Sequence, residues 1–209
     1  SPIALFHSNT VEADSNGSVW FLTTSGDLHR FNPITNSFEQ IHRGSGERFS
    51  RQDLVSDGRD HMLFSAPDGV VLSTDIFTNV TTVFCRTDVS EIRCIIPERE
   101  GRLWLGTNHG VLLMDDGRQQ VYTHDRADMQ SIAGEDIWSM LIDHQGDLWV
   151  GMFYNGLSLY RSPSAQVTRH LGHRSGGDLP GDMIRPLVAV DDRHILARAG
   201  DGWVVCMRA

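Results

Sequence analysis

The hydrophobic positions of this chain fall into short runs that alternate with glycine-containing turns, and the runs repeat. The most regular feature is a large apolar residue in the second run of each copy. These residues, called blade anchors here, are Trp20, Leu63, Trp104, Trp149 and Leu196. Successive anchors are 43, 41, 45 and 47 residues apart. A repeat of this length with runs too short for helices indicates a β-sheet architecture built from similar units.

Each copy contains four segments of strand length. The first is apolar, as at 92–96 and 137–142, the second holds the anchor, and the fourth is polar and alternating, as at 119–122. A glycine follows each anchor by six or seven residues, where a hairpin turn needs positive φ. These glycines are Gly26, Gly69, Gly110, Gly156 and Gly202. The pattern predicts an all-β chain, a β-propeller of about five four-stranded antiparallel blades with polar outer edges.

The repeat also predicts the domain organisation. We expect one propeller over residues 1–209, with blades at 8–42, 49–84, 90–124, 135–170 and 182–209. The last copy lacks a fourth strand, and residues 1–7 read as one spare strand that would close it. Either the five blades close by themselves in this way, or the chain is part of a larger propeller.

Composition narrows the function classes. A net charge of −9 argues against a nucleic-acid partner. The three cysteines, Cys85, Cys94 and Cys206, lie in apolar runs and read as buried side chains, although pairing of Cys85 with Cys94 stays open. No run approaches the ~20 apolar residues of a membrane helix, no signal peptide is visible, and no ligand spacing for zinc or calcium occurs. We expect no metal, no cofactor and no direct membrane insertion by this fragment.

Three segments carry a family resemblance. Residues 101–111 and 143–157, and more loosely 14–28, follow the pattern D-x-x-G-x-[LV]-W-[ILVF]-G-T-x-x-G-[LV]. This pattern resembles the repeat of the two-component-regulator propeller family. The second and fifth blades depart from it, because Leu63 and Leu196 stand at the tryptophan position.

The resemblance implies an extracytoplasmic, periplasmic sensor domain of a hybrid histidine kinase and response regulator protein. Its ligand would be an oligosaccharide, its partner the rest of the sensor kinase, and a homodimer would bring two kinases together. Any kinase activity would lie in other domains. The repeat occurs in other propellers as well, so it indicates fold more strongly than function.

The first candidate site comes from alignment of the first strands. Arg93, Trp138 and Arg185 each stand one residue after the isoleucine that begins the strand. Two guanidinium groups and an indole around the channel mouth would suit an acidic sugar. The alternative is that these residues form structural links to Glu91, Asp136 or Glu135.

The second candidate site is the set of loops between strands two and three. Asn108, His109, Tyr154 and Asn155 offer amides and aromatic faces suited to sugar rings. The alternative is that they are ordinary exposed hairpin tips.

Two other function classes remain open beside the sensor. A propeller enzyme acting on a polysaccharide or a lactone-like ligand would need clustered His, Arg and carboxylate groups, and the sequence contains no nucleophile elbow, HExxH or phosphate loop. A protein-interaction scaffold would instead present an exposed apolar patch and no polar pocket.

Overall fold

A computed structural model describes residues 8–47, 52–98, 101–162, 164–172, 174, 176–177, 179–200, 202 and 204–208. Over these residues the chain forms β-strands and turns without an α-helix. No helix in this part of the chain therefore has the length and apolar character needed to cross a membrane. The chain divides into two compact units, Ser1–Leu103 and Trp104–Ala209.

The first unit contains two four-stranded antiparallel sheets and one further strand. Its strands are β1 (Ser8–Ala13), β2 (Val19–Thr23), β3 (Leu28–Asn32), β4 (Ser37–His42), β5 (Leu54–Ser56), β6 (His61–Ala66), β7 (Val70–Asp75), β8 (Thr81–Arg86) and β9 (Ile92–Pro97). β1 to β4 pair in sequence order, and so do β5 to β8. Buried apolar side chains from both sheets form one core: Trp20, Leu22, Leu28, Leu54, Met62, Phe64 and Ile76.

The second unit follows the same plan. Its strands are β10 (Leu103–Thr107), β11 (Gly110–Asp115), β12 (Arg118–Tyr122), β13 (Ile137–Ile142), β14 (Leu148–Met152), β15 (Leu157–Arg161), β16 (Gln166–His170), β17 (Ile184–Asp191), β18 (His194–Ala199) and β19 (Val204–Arg208). β13 to β16 form a four-stranded sheet and β17 to β19 a three-stranded one. The sheet of β10 to β12 also includes β9, so the boundary between the units falls within it.

These sheets are the blades of a β-propeller fold, and the predicted all-β class is confirmed. The last sheet has three strands among the described residues, as the sequence predicts. The spare strand at 1–7 lies outside the described residues. The single propeller over 1–209 and its blade boundaries stay a prediction.

The first strands begin where the sequence places them. Ile92, Ile137 and Ile184 are the first residues of β9, β13 and β17, and all three side chains are buried. Gly151, two residues after the anchor Trp149 on β14, shows why a small residue is needed at this position. A β-carbon there would lie 2.9 Å from the carbonyl oxygen of Ile184 and would also overlap the Ser139 hydroxyl. The glycine therefore lets the strand of the next blade approach.

A carboxylate ties the first hairpin turn to the core in two blades. Oδ1 of Asp143 accepts hydrogen bonds from the backbone N–H groups of Gln145 (2.9 Å) and Asp147 (3.0 Å). Its Oδ2 accepts the indole N–H of the anchor Trp149 at 2.8 Å. Asp14 and Trp20 make the equivalent bond, also at 2.8 Å. The Asp of the D-x-x-G turn and the tryptophan six residues later therefore act as one structural element.

The outer strands β8 and β12 are mostly exposed, in agreement with the predicted polar edges. β4 is half exposed, and β16 has one exposed residue, Gln166. The three cysteines correct an expectation. None of them forms a disulfide, so Cys85 and Cys94 are not bonded to each other. Cys206 is exposed and the other two are half-buried. Cys85 and Cys206 lie on β8 and β19, which are end strands of their sheets, and Cys94 lies on β9, which is also an end strand.

Candidate functional site

Trp138 lies at a β-bulge in β13. On β13, Ile137 pairs with Met152 of β14 and Ser139 pairs with Gly151, so Trp138 is the extra residue between two paired positions. Bulges bend a strand locally and redirect the side chain at the bulge. Trp138 is accordingly only partly buried, while Ile137 beside it is fully enclosed.

Arg185 occupies the same position on the next inner strand, in a similar irregularity. Ile184 of β17 pairs with Ala199 of β18, and the next regular pair is Leu187 with Ala197. Arg185 lies between these pairs, and its peptide bond to Pro186 is cis. Its side chain is exposed.

The two bulges bring Arg185 and Trp138 into contact. The guanidinium carbon of Arg185 lies 4.2 Å from the centroid of the Trp138 ring, which is a cation–π contact. The contact restricts the long arginine side chain to fewer rotamers. The alignment of first strands places these two residues at equivalent positions of consecutive blades.

The aromatic surface continues onto the loop between β14 and β15. The Phe153 ring is centred 4.3 Å from that of Trp138, at an interplanar angle of 31°. Tyr154 meets Phe153 edge to face at 4.4 Å and is 61% exposed. The Phe153 N–H donates to the carbonyl oxygen of Asp136 at 2.9 Å, which fixes the loop against the start of β13. Arg185, Trp138, Phe153 and Tyr154 are called the aromatic–arginine cluster below.

Asn155 has a structural task at the end of this loop. Its backbone φ is 75°, a left-handed conformation that asparagine tolerates better than most residues. Its amide nitrogen donates to the carbonyl oxygen of Ala133 at 3.0 Å. The side chain therefore holds the loop that carries Phe153 and Tyr154 in place.

Asn108 and His109 form the tip of the equivalent hairpin in the preceding blade. The Thr107 hydroxyl accepts the His109 N–H at 2.9 Å and donates to the Gly110 carbonyl oxygen at 2.9 Å. The Gly110 N–H in turn donates to the carbonyl oxygen of Glu135, two residues before β13, at 2.7 Å. His109 is exposed at this tip and Asn108 is partly buried.

Arg93 belongs to the first unit and has an acidic neighbour on its own chain segment. Its guanidinium group donates to Glu91 at 2.8 Å, and the Arg93 side chain is 12% exposed. This is the structural link that the sequence offered as the alternative. The three aligned positions therefore differ: Arg93 is paired with a carboxylate, whereas Trp138 and Arg185 contact each other.

The charge around Arg185 determines what the cluster can bind. No carboxylate of the described residues forms an ion pair with Arg185. A guanidinium group presents its N–H donors in a plane that matches a carboxylate or sulfate. With exposed aromatic surface beside it, the cluster offers one anion-binding group and a face on which a ring can stack. Phe153 and Tyr154 belong to the loop between β14 and β15, that is, to the second candidate set and not to the alignment of first strands.

The described residues contain no group of three or more His, Cys, Asp or Glu side chains placed to hold a metal ion. The cluster itself contains no carboxylate, thiol or imidazole. Its members offer one guanidinium charge and aromatic faces on which a ring can stack.

Sequence comparison identifies the repeat. The profile of the two-component regulator propeller family matches residues 88–109 and 131–154, which confirms the resemblance of the third and fourth blades. The second matched segment includes Trp138, Phe153 and Tyr154. A search of curated protein sequences finds no match.

Comparison with solved structures extends the likeness over nearly the whole chain. An extracellular domain assigned to a hybrid two-component system of Bacteroides thetaiotaomicron superposes with a TM-score of 0.69 and 17% identity, covering 98% of this chain and 27% of that one. PorZ, a bacterial surface component of the type-IX secretion system of Porphyromonas gingivalis, gives a TM-score of 0.69 at 15% identity, covering 95% and 32%.

A third neighbour shows that these likenesses concern the fold. The WD40 propeller domain of Doa1 gives a TM-score of 0.71 at 14% identity, covering 98% of this chain and 65% of that one. The present chain spans about a quarter of the length of the two-component domain.

Proposed function

We propose that this chain, which carries two repeats of the two-component regulator propeller family, is a ligand-binding part of an extracytoplasmic sensor. Its output would pass to signalling domains elsewhere in the protein. The observation that carries the proposal is the contact between Arg185 and Trp138, at 4.2 Å and with no acidic partner for Arg185 among the described residues. A cation held by an aromatic ring and left without a carboxylate is suited to an anionic ligand.

The ligand class follows from the chemistry of the aromatic–arginine cluster. Sugar rings present C–H faces that stack on aromatic side chains, and the exposed Tyr154 offers such a surface. The guanidinium group of Arg185 would take a carboxylate of the same ligand in a bidentate pair. We therefore propose an acidic oligosaccharide, with Asn108 and His109 as further contacts from the preceding hairpin; Arg93, whose charge is paired with Glu91, is not included.

The remaining parts of the proposal concern the setting. The extracellular domains of hybrid two-component systems supply the precedent for a sensor outside the cytoplasm. We propose a periplasmic site, a histidine kinase as the output partner and a homodimer as the signalling form. A protein–protein contact of that kind places two kinase domains next to each other.

Isothermal titration calorimetry of the full chain with a panel of neutral and acidic oligosaccharides tests the function. We expect saturable heat with the acidic members, weaker heat with neutral ones of the same length, and no product by chromatography. Appearance of product would identify a propeller enzyme and overturn the sensor-only assignment. Absence of heat across the panel would favour a protein-interaction scaffold.

A further inference from the structure

The second blade contains the turn carboxylate of the repeat but not the tryptophan that it serves. Asp57 Oδ1 accepts the backbone N–H groups of Arg59 (2.8 Å) and His61 (3.0 Å), as Asp14 and Asp143 do for the residues two and four positions after them. Six residues after Asp57 the anchor is Leu63, which has no N–H to donate.

The second oxygen of Asp57 is consequently left for another partner. In the first and fourth blades the equivalent oxygen accepts an indole N–H at 2.8 Å. In the second blade the Oδ2 atom of Asp57 lies 3.5 Å from Nδ1 of His61, which is longer than a well-formed hydrogen bond.

A pocket of about 560 Å³ lies at this position, entirely within the first unit. Asp57, His61 and Leu63 form one part of its wall, and the surface of the same sheet continues it through Ser73 and Phe84. Leu63 and Ser73 are paired across β6 and β7, so they lie side by side on one face. Phe84, on the outer strand β8, is 42% exposed.

The other wall comes from the start of the next blade. Pro97 ends β9, and Glu98, Arg102 and Leu103 follow it. Glu98 and Arg102 are paired with each other at 3.2 Å, so this side presents one satisfied ion pair and the apolar surface of Pro97 and Leu103. The pocket thus combines apolar side chains with charged ones, which include Arg59 as well as Asp57, Glu98 and Arg102. One carboxylate oxygen of Asp57 lacks a close donor, and the volume is in the range of small-molecule sites.

We infer that this pocket binds a planar aromatic molecule with an N–H donor on its ring, of the indole type. Its ring would fill the space that tryptophan fills in the first and fourth blades, and its N–H would bond to the second oxygen of Asp57. The site shares no residue with the aromatic–arginine cluster, so it is independent of the proposed sensor ligand.

Titration of the full chain with indole and with indene, followed by protein NMR, tests the inference. Indene has the same fused-ring shape without the N–H donor. We expect saturable binding of indole, with an affinity about tenfold or more above that of indene, because a bond to a charged acceptor is lost. Equal affinities, or no saturable shift with indole at millimolar concentration, would overturn the inference.

Two variants locate the site. Asp57→Asn keeps an oxygen for the turn and places an amide at the pocket, so indole affinity should fall to that of indene. The matched control is Asp14→Asn, whose second oxygen is already occupied by Trp20. It should leave indole affinity within about twofold of wild type. The reverse pattern would contradict the assignment of the site.

Leu63→Trp restores the anchor of the repeat. The new side chain should abolish indole binding and raise the melting temperature, because it supplies the ring and the N–H from within the chain. Undiminished indole binding in a folded Leu63→Trp variant would show that the ligand lies elsewhere.

Discussion

Replacing Asp143 by alanine removes three hydrogen bonds from the first turn of the fourth blade. The backbone N–H groups of Gln145 and Asp147 and the indole N–H of Trp149 then lose their carboxylate acceptor. Gln145 is exposed, so water can replace its bond. Asp147 and Trp149 are buried, at 7% and 1% exposure, and their N–H groups would be left without an acceptor.

The expected cost follows from those two buried donors. Leaving a buried donor unsatisfied costs about 1–3 kcal/mol, so the variant should lose about 3–4 kcal/mol of unfolding free energy. Asp57→Ala in the second blade is the matched control. This variant also loses two backbone hydrogen bonds, from the N–H groups of Arg59 and His61. Arg59 is exposed and His61 is partly exposed, and no indole bond is lost. Its cost should be about 1–2 kcal/mol.

Urea denaturation followed by circular dichroism measures both values. A double-mutant cycle with Trp149→Phe then isolates the bond between carboxylate and indole, for which we expect a coupling of about 1 kcal/mol or more. Equal costs for Asp143→Ala and Asp57→Ala, together with a coupling near zero, would refute the claim that the indole bond stabilises the turn.

Two further predictions concern backbone and charge. Gly156→Ala should lower the unfolding free energy more than Gly146→Ala, as measured by urea denaturation. Both glycines have positive φ (86° and 85°), which costs alanine about 1–2 kcal/mol. Only at Gly156 would the new β-carbon also overlap a backbone atom, the carbonyl oxygen of His170. Desolvation raises the pKa of Asp53 to about 7, with a contribution from Glu12. The folded chain therefore keeps a proton that the unfolded chain releases near pH 4, and stability should fall as pH rises from about 4 to 7. Unfolding free energy should drop by about 2 kcal/mol more between about pH 5 and pH 8 in wild type than in Asp53→Asn; equal pH dependence would contradict the shift.

The period of the repeat made the fold predictable. Anchor spacing and turn glycines can both be read from the sequence alone. The glycines have a direct steric cause, because the hairpin after the anchor requires positive φ. The glycines predicted there, including Gly26, Gly110 and Gly156, have φ of 82°, 102° and 86°. The first strands and the missing strand of the last blade follow from the same alignment.

The candidate site was only partly predictable, because it depends on register. Alignment placed Trp138 and Arg185 at equivalent positions, and the bulges at both then brought them together. The bulges arise from pairing with β14 and β18, which spacing along one strand does not reveal. Arg93 has the same sequence position, yet Glu91 two residues earlier takes its charge.

The second blade illustrates a different limit. Sequence comparison shows that Leu63 replaces tryptophan but not whether neighbouring side chains fill the space. In the structure a pocket lies beside Asp57 and Leu63, and a ligand ring is inferred to occupy it. A departure from the repeat pattern thus marks a place to look for a ligand.

The most direct test of the sensor proposal compares two arginine variants in the calorimeter. Arg185→Ala and Arg93→Ala are titrated with an acidic oligosaccharide that binds the wild-type chain. If the aromatic–arginine cluster holds the ligand, Arg185→Ala weakens binding by about tenfold or more, while Arg93→Ala, whose charge is paired with Glu91, changes it by about twofold or less. Wild-type affinity in Arg185→Ala would contradict the account.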